Sequence, residues 1–204
     1  MKNLVRITNA INVRLSKKEQ VREQALAMSR DINRQAKELI FDIHHQRDVK
    51  KKLDMLKRKV RKLNTKLKQF PDMKNAGFTQ NALQEYAEAA VFSAVTSNST
   101  VPSPEDLEID DIPYLLGLGD VVGELRRLIL NLLIEQQLGE AKRHFRTMEK
   151  LTEILSKFNY PDSMVPIRRK QDIARGILEK TQGELAIALN TNSLEKKLQK
   201  VKSK

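Results

Sequence analysis

The chain contains no cysteine, which excludes disulfides, thiolate metal sites and a cysteine nucleophile. Aromatic residues make up only 4 % of it, too few for a platform that binds single strands by stacking. Its three histidines, His44, His45 and His144, are too few and too scattered for a zinc site. There is no glycine-rich phosphate loop, no Ser/His/Asp order and no zinc-ligand spacing. A long uncharged apolar run is also missing. The most apolar stretch, Leu115 to Ile134, is interrupted by Asp120, Glu124, Arg126 and Arg127, which argues against a membrane span. Met1 to Val13 is broken by Arg6, Asn9 and Asn12 and makes a poor signal peptide. The expectation is a soluble, cytoplasmic protein.

Seven glycines and six prolines occur in 204 residues, and they cluster. The long gaps between clusters predict long helices, and no strand-like alternation or internal repeat is found. The fold class is therefore all-α. The spacing predicts helices over about 17–45, 48–69, 79–96, 111–138, 140–158 and 164–189, the last broken near Pro166. A connector at 97–111 carries a helical turn after Ser103-Pro104-Glu105. Residues 1–190 read as one helical domain and 191–204 as a basic, disordered tail. Long helices in so short a chain leave apolar stripes to cover, so self-association is a natural outcome.

What the chain has in excess is positive charge. Lys and Arg number 38 against 26 Asp and Glu, a formal net charge of +12. This favours a polyanionic partner, nucleic acid ahead of a membrane surface; a solvated lysine-rich surface is the plainer alternative. Residues 47–68 hold 11 Lys/Arg and two Asp around an apolar 4-3-4-3-4 stripe, a narrow seam with a strongly basic outer face. Arg30, Arg34 and Lys37 share a face of the first helix, with a solvated face the plainer reading, and His44-His45 closes that helix in a position suited to capping rather than to catalysis.

Against this basic background stand four acids in apolar surroundings. Glu85 and Glu88 lie within LQEYAEAAVF (83–92), and Asp120 and Glu124 within YLLGLGDVVGEL (114–125). Spacings of three and four put each pair on one side of its helix. An unpaired charge is very costly to bury, so such acids are either ion-paired or bind metal. Two such helices packed together would aim four carboxylates at one point, a hard oxygen cluster suited to Mg²⁺ or Mn²⁺. Held beside a basic surface, such an ion suggests chemistry on phosphate, with Arg126 or Arg127 next to the scissile group. Gly117, Gly119 and Gly123 surround Asp120 and point to close helix approach or to room for a ligand.

These segments, together with MSRDINRQAKELIFDIH (28–44), resemble the translin superfamily, and within it the translin-associated factor X branch. The similarity runs over about residues 20–190. It implies an all-α bundle of six or seven helices that assembles into a ring- or barrel-like homo-oligomer, an octamer, around an interior cavity. It further implies a Mg²⁺-dependent endoribonuclease acting on single-stranded RNA, with single-stranded DNA a further ligand. Glu85, Glu88, Asp120 and Glu124 match the acids that hold the ion and activate water on the phosphodiester. Two departures stand out. The segment that matches translin's basic binding stretch carries Glu85 and Glu88 instead, so the RNA grip falls to the chain's own Arg30, Arg34, Lys37, Arg126 and Arg127. The long basic N-terminal extension and the long insert before the YLLG motif are also missing, a pattern similar to archaeal members. The alternative is a non-catalytic single-stranded RNA- or DNA-binding protein whose acids are structural.

Overall fold

A computed structural model describes residues 1–202. Among the described residues there are helices and no strands. Six helices are long: α1 (Lys2–His44), α2 (Lys50–Leu67), α4 (Gly77–Thr96), α6 (Asp111–Ile134), α7 (Leu138–Ser156) and α8 (Arg168–Lys202). Two are single turns, α3 (Pro71–Lys74) and α5 (Pro104–Leu107). Each opens on a proline, whose fixed φ and missing N–H suit a first helical position. In α5 the turn is closed by a capping box in which Ser103 and Asp106 bond each other's backbone N–H.

Three boundaries differ from those the sequence predicts. α1 begins at Lys2 rather than near Lys17, because nothing between residues 2 and 16 breaks a helix and Leu4, Ile7, Ile11 and Leu15 recur at helical spacing. Pro166 lies in the turn before α8 rather than inside it. The expected disordered tail is instead a continuation of α8 to Lys202, its Leu194, Leu198 and Val201 exposed; residues 203 and 204 lie outside the described part.

The bundle is ordered by how apolar each helix is. α4 is buried on most faces: Leu83, Tyr86, Ala87, Ala89, Val91 and Phe92 are all inaccessible, and small alanines let neighbours approach from two sides. It is sandwiched between α1 and α6, and α6 in turn carries α7 and α8 on its other flank. α2 lies outside α1. Its predicted stripe is buried there through Leu56, Val60, Leu63 and Leu67, and Arg61 clamps Glu108 at the end of α5. One continuous core results, from Ala25 to Leu185. No described helix is long and apolar enough to cross a membrane.

Candidate metal centre

The distance between α4 and α6 is set at Gly117. A Cβ there would stand 2.8 Å from the Gln84 carbonyl oxygen, 2.9 Å from the Ala87 Cβ and 3.0 Å from the Glu88 nitrogen. Only glycine allows this contact, and it brings the acid-bearing turns of the two helices side by side. Six residues further along α6, nothing lies within 4 Å of a Cβ built on Gly123. Gly123 lines an open cleft of about 740 Å³ together with Glu85, Glu88, Asp120 and Glu124. The small residues of α6 thus serve both ends the sequence suggests, close approach at Gly117 and space at Gly123.

Glu85 and Glu88 both feel the negative charges of Asp120 and Glu124. Burial pushes Glu88 up to about 8, with the negative charges of Asp120, Glu85 and Glu124 adding to it and Lys170 opposing it. Burial also raises Glu85, against the attraction of Lys37. Among the described residues Glu88 has neither a hydrogen-bond nor an ion-pair partner, and it is 8 % exposed. The other three are engaged. Asp120 accepts from Gln84 Nε2 at 2.6 Å and from the Lys170 ammonium at the start of α8. Glu124 accepts from His44 Nε2 at 2.5 Å and lies 3.9 Å from Arg127. Glu85 lies 3.8 Å from Lys37 Nζ.

This donor set fits a hard divalent cation in kind: every candidate ligand is a carboxylate oxygen, and an uncompensated acid, Glu88, sits among them. It is not a finished ligand shell, for among the described residues no three His, Asp or Glu side chains already converge on one point. Lys170 and Gln84 draw Asp120 aside, and His44 draws Glu124. A cation at this point would compete with Lys170 for Asp120.

Of the five basic residues expected to grip a polyanion, two border the cleft, Lys37 and Arg127. Arg30 is exposed on α1 and does not line it. Arg34 is also exposed and is taken up by Asp31 and Glu38. Arg126 faces α8, where its guanidinium donates to Thr181 Oγ1 at 2.9 Å and to Glu184 at 2.8 Å. The basic face of α2 contributes nothing to the cleft; Lys52 and Lys59 pair back onto Asp42 and Asp31 of α1. Two cleft residues escape sequence reasoning, Gln84 and Lys170, and so does the bond that the buried His44 makes to Glu124 from behind the cleft. Of the His44-His45 pair expected to cap α1, His45 does so, its Nδ1 donating to the Phe41 carbonyl at 2.7 Å, while His44 turns to Glu124.

An all-α bundle with two acid pairs facing across a glycine contact defines a class, and the wider comparisons agree with it. Residues 20–184 match the Translin family, and the chain belongs to that family. It is 39 % identical over 191 residues to an uncharacterised protein of Methanocaldococcus jannaschii, covering 92 % of this chain and 85 % of that one. It is 23 % identical over 194 residues to the translin-associated protein X homolog of Schizosaccharomyces pombe, covering 83 % and 81 %. Among solved structures it is similar to AfC3PO in a complex with duplex RNA, with a TM-score of 0.73 and 30 % identity, covering 90 % and 96 %.

Proposed function

We propose that the protein is a divalent-metal-dependent endoribonuclease that cleaves single-stranded RNA inside a cytoplasmic homo-oligomeric shell, an octamer. The observation that carries this reading is that Glu85, Glu88, Asp120 and Glu124 all line one open cleft bordered by Lys37, Arg127 and Lys170. A pure binding surface gains nothing from four acids where phosphates must approach. Mg²⁺ or Mn²⁺ held there would supply an activated water and neutralise charge on the phosphoryl oxygens. Asp120 and Glu124 project from one helix and Glu85 and Glu88 from the other, so the four can hold an ion from two sides. Lys37 and Arg127, 68 % and 53 % exposed at the rim, are placed to receive the backbone on either side of the scissile phosphate. Similarity to a protein solved with duplex RNA supports RNA as the polymer. The single-stranded preference rests on the family resemblance.

One observation favours a second reading, a non-catalytic single-stranded RNA- or DNA-binding protein. Asp120 and Glu124 already have positively charged or imidazole partners, as structural acids would. The two readings separate in a cleavage assay on end-labelled RNA, single-stranded and duplex, with Mg²⁺ or Mn²⁺ against EDTA. The nuclease reading expects metal-dependent internal cuts in the single strand. RNA that is bound yet intact under every condition selects the binder.

A further inference from the structure

Lys170 is the least expected member of the acid cleft, and the path of its side chain is built into the fold. It is the third residue of α8, just past the Pro166 turn. Its aliphatic stem lies across α6 at Gly119: a Cβ on that glycine would stand 3.0 Å from Lys170 Cβ and 3.3 Å from its Cγ and Cδ. The glycine leaves a channel one lysine stem wide. At its end the ammonium donates to Asp120 Oδ1, with both side chains 26 % exposed, while Gln84 holds the other Asp120 oxygen. The positive charge also favours the ionised forms of Glu85 and Glu88. Lys170 is therefore a protein-borne cation seated among the four acids.

Resting on the metal-dependent reading above, we infer that Lys170 couples metal binding to RNA binding. Without RNA its ammonium and a divalent ion compete for Asp120, since two cations cannot share one carboxylate oxygen at contact without strong repulsion. A phosphodiester entering the cleft gives the ammonium a second anion to bond, on a flexible stem of four methylenes. Asp120 is then released to the ion. RNA thereby raises the affinity for metal, and by linkage metal raises the affinity for RNA to the same degree. Lys170 is in this account a positioning residue that reserves the metal site for occasions when substrate is present. A lysine that only fastened α8 to α6 would produce no such coupling.

The test is Mn²⁺ binding to the purified full chain, read from the electron paramagnetic resonance of free Mn²⁺. Titrations are made with and without a 2′-O-methyl RNA oligonucleotide. The native protein is expected to bind Mn²⁺ about tenfold tighter with the oligonucleotide, within the usual range for coupled sites. Lys170→Met, which keeps most of the stem over Gly119, is expected to bind Mn²⁺ tightly without RNA and to gain nothing when RNA is added. Gly119→Ala is a second variant that keeps the lysine but displaces its stem, and it is expected to shift in the same direction. Unchanged or weaker Mn²⁺ affinity in folded Lys170→Met overturns the coupling and leaves the metal site standing. Failure of both the native protein and Lys170→Met to bind Mn²⁺ overturns the metal site itself, and the coupling with it.

Discussion

His44 and Glu124 meet across the junction of α1 and α6, with imidazole Nε2 2.5 Å from carboxylate Oε2. The imidazole is 1 % exposed and its ring centroid lies 5.0 Å from that of Phe92. A carboxylate oxygen can only accept, so Nε2 carries the hydrogen. This bond fixes the direction of Glu124, one of the four acids of the cleft. Outer-shell partners of metal-ligating carboxylates typically matter about 10- to 100-fold in affinity or rate. His44→Ala is therefore expected to lower both Mn²⁺ affinity and cleavage on that scale. Unchanged Mn²⁺ affinity in a folded variant would show that the bond serves packing alone.

Two glycines on different faces of α6 are expected to respond oppositely to alanine. Gly117→Ala drives a methyl group into Gln84, Ala87 and the Glu88 backbone, and is expected to cost about 1–3 kcal/mol by overpacking and to separate the acid pairs. Gly123→Ala meets open space and is expected to stabilise α6 by roughly 0.5–1 kcal/mol. Urea unfolding of both variants decides; equal midpoints would contradict the close-contact role of Gly117.

Glu88 ties stability to pH. The unfolded chain releases a glutamate proton near about 4.3, whereas burial holds the Glu88 proton in the folded, metal-free protein up to about 8. Between those values the folded state binds more protons than the unfolded one. The stability that this group contributes is present at low pH and is lost as pH rises through that window. In EDTA, Glu88→Gln is expected to flatten the decline of Tm between about pH 5 and about pH 8. A slope identical to that of the native protein would mean that Glu88 is already ionised in the fold.

Adjacent arginines have different duties. Arg127→Ala is expected to weaken RNA binding and reduce its salt slope by about one. Arg126→Ala is expected to leave RNA binding intact and to lower stability by about 1–3 kcal/mol, because Thr181 and Glu184 lose their partner across α6 and α8. Filter binding at several salt concentrations, beside thermal melts, checks both. A salt slope that changes in Arg126→Ala would contradict this division.

The two acid pairs were legible because i,i+3 and i,i+4 spacing is a property of one helix, and charge in an apolar stretch stands out in any reading. The glycines around Asp120 were legible as a group, but which one makes contact depends on how α4 and α6 cross. His44 and Lys170 could not be read, because each comes from a distant helix end and reaches the acids through the course of a single side chain. The same limit holds for the basic face at 30, 34 and 37. All three residues share a side of α1, but Asp31 and Glu38 take up Arg34, and only Lys37 borders the cleft. Helix ends were missed where no breaker marks them, as at the start of α1 and along the final turns of α8.

If the carboxylates on α4 and α6 together make a nuclease site, cleavage depends on Asp120. Single-turnover cleavage of an end-labelled single-stranded RNA with Mg²⁺ or Mn²⁺ is compared between the native protein and Asp120→Ala, with RNA binding and oligomer size followed in parallel. The native protein is expected to cut in a metal-dependent way, and the variant to lose this cutting while it still assembles and still binds RNA. Cutting at the native rate by Asp120→Ala would contradict such a site.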